Sequence, residues 1–408
     1  MHIGKVSIRG EEKDVYMPTK NKDELCLPHI GIGAMGSGKS SFGINWAIEA
    51  CYKGYGVAII NPADAKLAQE LALGVPKDKF IHIDFGKNTY ALDWCEVKHS
   101  KHARDRLSRT IIDFFDSGSD DTGPQTARYL RAAIMAMQSH KLSEINKLFE
   151  DRIYREAIIQ RMPQNQTRKT LESFSQESPA RQSQIASPIY NRMDSLLGSQ
   201  HMSKCVNSNN SIDFFQIMNT DKVILIDVPS MVEQDTIVKL LSTKIDLAMT
   251  LRDGDKASPF FVIFDEPHQY MGSAKTWWKS AVESRKWRVG YIWLFHSWNQ
   301  VKKYNLDNII KSAGPHYHIF PTTKEHYDDL KEELQPFTKE EAMETPTFHA
   351  INILKAGGAT QKPFLAKMAP PPSIHNKYSP KEKNNHKKQL ADSKKRTIIS
   401  PPTIPQSI

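Results

Sequence analysis

The sequence predicts an α/β fold, a mostly parallel sheet flanked by helices, with an all-helical insertion between its core strands. Three observations predict it. A short apolar run, 28–33, feeds a glycine loop that opens a helix-patterned stretch beginning Ser41-Phe42-Gly43-Ile44. Strand-like apolar runs alternate with helix-like ones before residue 97 and again after residue 215, and units of that length imply parallel pairing through right-handed crossovers. Between those blocks the strand signals vanish and long amphipathic patterns take over.

In chain order, residues 1–27 hold two short runs, Lys5–Arg9 and Asp14–Met17, which read as a hairpin leading into the first core strand. The glycine loop follows. Gly33-Ala34-Met35-Gly36-Ser37-Gly38-Lys39-Ser40-Ser41 satisfies every fixed position of the phosphate-loop pattern G-x-x-x-x-G-K-[ST]. Glycines let successive backbone N–H groups turn toward one anion, and the helix behind them adds the positive end of its dipole. In this pattern Lys39 reaches the β- and γ-phosphates of ATP and Ser40 ligates Mg2+. Residues up to 96 continue the alternation: a β-branched run 56–61 closed by Asn61-Pro62, a helix-like 65–73 and an alternating strand 80–85.

Residues 97–215 read as the helical insertion. Leu130, Ile134 and Met137 share one helical face, and Leu148, Ile153, Ala157 and Ile158 suggest a further helix. The Ser-, Gln- and Thr-rich stretch 164–188 is expected to be mobile. Arg128, Arg131, Arg155 and Arg161 are candidates to touch nucleic acid, with plain solvated helix faces as the alternative. The α/β pattern resumes with an apolar strand 222–228, a long helix 233–250, and strands at 260–264, 290–295, 316–320, 348–354 and 363–368. From Ala369 onward Pro, Lys, Asn and Ser dominate, a composition that does not bury a core. The expected domains are thus a short N-terminal β segment (1–27), an ATPase core (28–96 and 216–368), a helical insertion (97–215) and a disordered basic tail (369–408).

Composition narrows the class. Of the net charge of +9, the segment 371–408 holds +6, eight Lys/Arg against Glu382 and Asp392, so the body is near neutral. Cys26, Cys51, Cys95 and Cys205 form no C-x-x-C pair, which argues against a zinc or redox motif. No run reaches the roughly 20 apolar residues that span a bilayer, and the start shows no signal-peptide pattern. The expected location is the cytoplasm, with any peripheral membrane attachment made through a partner.

The other half of a hydrolytic site is a metal-holding carboxylate and a base. Phe261-Val262-Ile263-Phe264-Asp265-Glu266 offers both at the end of an apolar strand. There Asp265 would hold Mg2+ and Glu266 would polarise the attacking water. Asp227, which ends another apolar strand, is the rival metal ligand, and the absence of a second acid beside it favours Asp265. Downstream, His296 and Ser297 stand at a strand tip suited to sensing the γ-phosphate, with Gln300 one helical turn on. Arg285 fits an arginine finger, in cis or in trans, against a plain surface charge.

Together the phosphate loop, the helical insertion, the strand ending in Asp227, the Asp265-Glu266-Pro267-His268 motif, the Arg285-Lys286 pair and the polar strand tip resemble the HerA/FtsK superfamily of DNA-pumping ATPases. They resemble most the conjugative coupling and type IV secretion ATPases and their HerA-like relatives. The resemblance spans about residues 28–368. It implies a RecA/FtsK-like P-loop NTPase core, a homohexamer with ATP sites between subunits, DNA as the moved partner, and a possible membrane or secretion-channel partner. Viral genome packaging, DNA repair, and a non-translocating switch or scaffold are the alternative settings.

Overall fold

The strands that read as continuous apolar runs are the ones buried on both faces. The computed structural model describes residues 1–62, 65–87, 90–100, 102–116, 122–207, 211–267, 282–303 and 307–375. Its strands are β1 (His2–Ile8), β2 (Glu11–Tyr16), β3 (His29–Ile32), β4 (Gly56–Asn61), β5 (Phe80–Asp84), β6 (Val223–Asp227), β7 (Phe260–Asp265), β8 (Val289–Phe295), β9 (His316–Ile319), β10 (His349–Ile353), a small hairpin of β11 (Lys355–Ala356) and β12 (Ala359–Thr360), and β13 (Phe364–Met368). All but the small hairpin join one 11-stranded sheet in the order β2-β1-β13-β10-β9-β3-β8-β7-β4-β6-β5. From β9 to β5 every pairing is parallel. From β10 to β2 every pairing is antiparallel. Every residue of β3, β4, β6, β7, β8 and β9 is buried, the pattern of a parallel sheet covered on both faces.

Two compact units divide the chain. The sheet belongs to the first, whose described residues lie within 1–86, 216–231 and 252–375. Its leading helices are α1 (Lys22–Leu25), α2 (Lys39–Tyr52) and α3 (Ala65–Gly74). Helix α2 buries Phe42, Ile44, Trp46, Ala47, Ala50 and Cys51 in a core shared with Ile59, Ile263, Ile292 and Leu294. Beneath the glycine loop, β3 and β9 hold three buried histidines. His318 Nδ1 faces Asn352 Oδ1 at 2.7 Å, while Asn352 Nδ2 donates to Ala350 O. That leaves His318 Nε2 to accept from His29 Nδ1 at 3.1 Å. His316 donates to Glu24 O and accepts from Lys355 N.

The expected start of disorder at Ala369 is too early. Asn45 Nδ2 donates to Ala369 O (2.9 Å) and Pro370 O (3.0 Å), and Glu70 accepts from Ser373 N at 2.8 Å, in a helical turn Pro372–His375. A proline-rich composition conceals such docking because the bonds use backbone groups. Residues 376–408, with most of the basic tail, lie outside the described residues.

The second unit holds residues within 87–215 and 232–251. It contains α4 (Ala103–Asp116), α5 (Pro124–Ala136), α6 (Ser143–Glu150), α7 (Arg152–Arg161), α8 (Gln166–Gln176), α9 (Pro179–Leu197) and α10 (Gln200–Asn207); α11 (Phe214–Met218) leads out of it, and α12 (Gln234–Thr250) belongs to it. Residues 87, 90–96 and α12, expected with the core, therefore cluster with the helices. Most of the stretch 164–188, expected to be mobile, lies in α8 and α9. Asn165 and Ser178 cap α8 and α9, and Leu171, Phe174, Ile185 and Ile189 are buried. A few apolar residues at helical spacing suffice when a neighbour covers them. Arg155 is also no surface contact: it is 2% exposed, donates to Leu148 O and Phe149 O, and lies over the Phe174 ring. Arg128 and Arg161 are exposed, and Arg131 pairs with Asp105. All four cysteines are buried free thiols.

Candidate nucleotide site

The register of the sheet gathers the site. β3 pairs with β8 so that Ile32 lies beside Phe295, and β8 pairs with β7 so that Leu294 lies beside Asp265. The residues that follow, Gly33, His296 and Glu266, therefore emerge at one edge, the carboxyl ends of parallel strands where open α/β sheets bind ligands. A strand thus lies between the phosphate-loop strand and the acid-bearing strand and delivers His296 between them.

The loop itself requires its glycines at three positions, Gly36 among them with φ +75°. A Cβ on Gly33 would lie 2.5 Å from Phe320 Cβ and 2.6 Å from Ser37 Oγ, and Gly38 has φ +112°. No side chain caps α2, and the buried Ser37 hydroxyl has no hydrogen-bond partner among the described residues. An uncapped helix start and an orphaned hydroxyl inside a glycine loop are what an anionic phosphate would satisfy.

Lys39 is 5% exposed. Its ammonium donates to Gly33 O (2.7 Å) and Ala34 O (2.9 Å) and sits 3.3 Å from His296 Nδ1. Burial pulls its pKa down to about 8, against the opposing pull of Asp265 and Glu266. On the far side of the imidazole, His296 Nε2 lies 3.0 Å from Glu266 Oε1. Glu266 has φ +49°, a left-handed conformation that a side chain adopts at a cost and that recurs at active sites. Asp265, buried at the end of β7, and Ser40, at the start of α2, supply the hard oxygen donors that suit Mg2+.

Ser297 and Gln300 bond to each other beside His296. Ser297 Oγ accepts from Gln300 N (3.4 Å), while Gln300 Oε1 accepts from Ser297 N (3.4 Å) and from His296 N (2.9 Å). This is a reciprocal cap on the helix Trp298–Lys303, and it pins the backbone that carries His296. The spacing S-x-x-Q is the signal that announces it.

Asp227 stands away from the loop. Its carboxylate is occupied by His82 Nε2 (2.6 Å) and Asn61 Nδ2 (2.7 Å). It ends β6, four strands from β3 and so about 19 Å from it at ~4.8 Å per strand. Arg285 is exposed on the turn Ser284–Trp287 that precedes β8. The length of β8, roughly 20 Å at ~3.3 Å per residue, separates it from His296. The structure does not bring Arg285 to the site of its own chain. His268 of the acidic motif lies outside the described residues.

No family model and no curated protein matches the sequence. Solved structures do match the fold. The chain is similar to VirB4 of Thermoanaerobacter pseudethanolicus at 11% identity and a TM-score of 0.61, over 94% of this chain and 97% of that one. It is similar to the bacterial conjugative coupling protein TrwBdeltaN70 in its unbound form at 11% identity and a TM-score of 0.60, over 90% and 89%. The plasmid coupling protein TrwB in complex with ADP and Mg2+ matches at 12% identity and a TM-score of 0.58, over 86% and 87%. At these identities the likeness establishes a shared fold, the mostly parallel sheet flanked by helices that the sequence predicts. Among the described residues no helix is long and apolar enough to cross a membrane.

Proposed function

We propose that this chain is an ATP-hydrolysing motor of the HerA/FtsK type that moves DNA, in the service of conjugative transfer of a mobile element. The observation that carries the reading is the line Lys39–His296–Glu266, with contacts of 3.3 and 3.0 Å across one imidazole. It links the cation that would hold the β- and γ-phosphates to the carboxylate that would take a proton. The water oxygen attacks the γ-phosphorus, its proton passes toward the Glu266 carboxylate, and the bond to the ADP oxygen breaks. His296 touches both ends of that step and so can report it. Ser40 and Asp265 would hold Mg2+, which when bound neutralises charge on the β- and γ-oxygens. The fold shared with a conjugative coupling protein supports the DNA and conjugation parts of the reading. As partners we propose DNA, further copies of the chain in a homohexamer, and a secretion-channel component at the membrane. An arginine-finger role for Arg285 then requires a neighbouring subunit.

The test is ATP turnover with and without DNA. Lys39→Ala is expected to lose nucleotide binding. Glu266→Gln is expected to bind ATP and lose about a hundredfold or more in turnover, and DNA is expected to stimulate the wild type. Normal turnover by Glu266→Gln removes the base, and turnover indifferent to DNA removes the motor.

A further inference from the structure

We propose that Phe348 is the platform on which the base of the bound nucleotide stacks, so that the start of β10 recognises the nucleoside. This rests on the nucleotide-binding reading of the phosphate loop and adds the site's second half. Asp265, Glu266 and His296 stand at the ends of β7 and β8, on one side of β3, and mark where a terminal phosphate would react. A nucleotide held that way carries its nucleoside toward the other side of β3, where β9 and β10 lie. β10 runs antiparallel to β9, with Ile351 beside Ile319, so its first residues sit at the same edge as the loop.

Phe348 immediately precedes β10 and lies beside Gly38 of the loop. A Cβ on Gly38 would lie 3.4 Å from Phe348 Cδ1 and 3.7 Å from its Cα, with Phe320 Cε1 behind at 3.6 Å. Phe320 is fully buried, whereas Phe348 is 56% exposed. Its backbone has φ +63°, and its carbonyl is pinned by Met368 N at 2.8 Å. The chain therefore holds an aromatic ring out beside the phosphate loop, in a conformation that costs energy, rather than folding it into the core. A flat apolar ring next to an anion site fits a nucleobase. Because every base presents a π-face, stacking alone discriminates weakly among bases.

The experiment is calorimetric titration of the full chain with ADP and, separately, with tripolyphosphate, which has no base. Phe348→Ala is expected to weaken ADP about tenfold or more and to leave tripolyphosphate within about twofold. Phe348→Trp is expected to keep ADP binding. Phe348→Leu, which retains bulk without the flat ring, is expected to lose ADP affinity with an unchanged thermal unfolding curve. Unchanged ADP affinity in Phe348→Ala overturns the proposal. So does equal weakening of both ligands, or a changed oligomer mass with ADP affinity intact, which would make the ring a contact between copies. If the wild type binds neither ligand, or Lys39→Ala binds both normally, it is the phosphate-loop reading that fails.

Discussion

Two polar clusters in this chain have the same ingredients and opposite treatment. In the helical unit, Lys244 on α12 and Glu96 form an ion pair at 2.8 Å with neither side chain exposed. Lys244 also donates to Asp93 O, and Phe214 N donates to Glu96 Oε1 at 3.1 Å. At the sheet edge, Lys39, His296 and Glu266 also make short contacts, but His296 keeps 20% and Glu266 26% of its side chain open to solvent. The sealed pair is held by groups that nothing outside the chain needs to touch. The open cluster leaves a helix start uncapped and a carboxylate on a left-handed backbone. Buried charge by itself does not mark function.

The comparison breaks first at Lys244. Removing one partner of a buried pair leaves an uncompensated charge, so Lys244→Ala is expected to cost about 3–5 kcal/mol, read by denaturant unfolding. Replacing both partners, with Lys244→Met and Glu96→Leu, is expected to recover most of it. If the single variant is neutral, the pair is not sealed from solvent.

A second test uses a sealed cluster within the sheet unit. Burial holds His29 well below its ordinary pKa and pulls His316 to about 4 and His318 to about 3. All three are neutral when folded, and the unfolded chain gains their protons as pH falls through about 6.5. Their contribution is complete above that value and is lost below it, by about 1 kcal/mol for each histidine between about pH 7 and about pH 5.5. Thermal unfolding across that range checks the sum, and a flat profile refutes neutral burial.

The smallest effect sharpens the contrast from the open side. His296→Ala is expected to slow ATP turnover about tenfold, roughly 1.4 kcal/mol of barrier, while leaving the unfolding midpoint where it was. A variant that loses stability instead of turnover would move His296 into the sealed class.

Much of this site was legible because its chemistry depends on neighbours in sequence. The spacing from Gly33 to Ser40, and the apolar strand that ends in Asp265-Glu266, mark candidate residues locally. The cap between Ser297 and Gln300 was less legible, because a polar residue at a strand tip reads equally as sensor or cap. The helices over 166–197 were hidden for a different reason. Their apolar residues are too sparse to announce a core and are buried only by packing.

By itself the sequence determined the strands, the glycine loop and the identity of the carboxylates, because backbone conformation and phosphate geometry constrain residues only a few positions apart. Only the tertiary structure decided the rest. Strand order put β8 between β3 and β7 and so set His296 between Lys39 and Glu266, residues 257 and 30 positions from it in the chain. The same order set Asp227 four strands from β3 and carried Arg285 to the opposite edge. Those outcomes depend on which strands become neighbours, and that is settled by the burial of every apolar face at once, which no local pattern records.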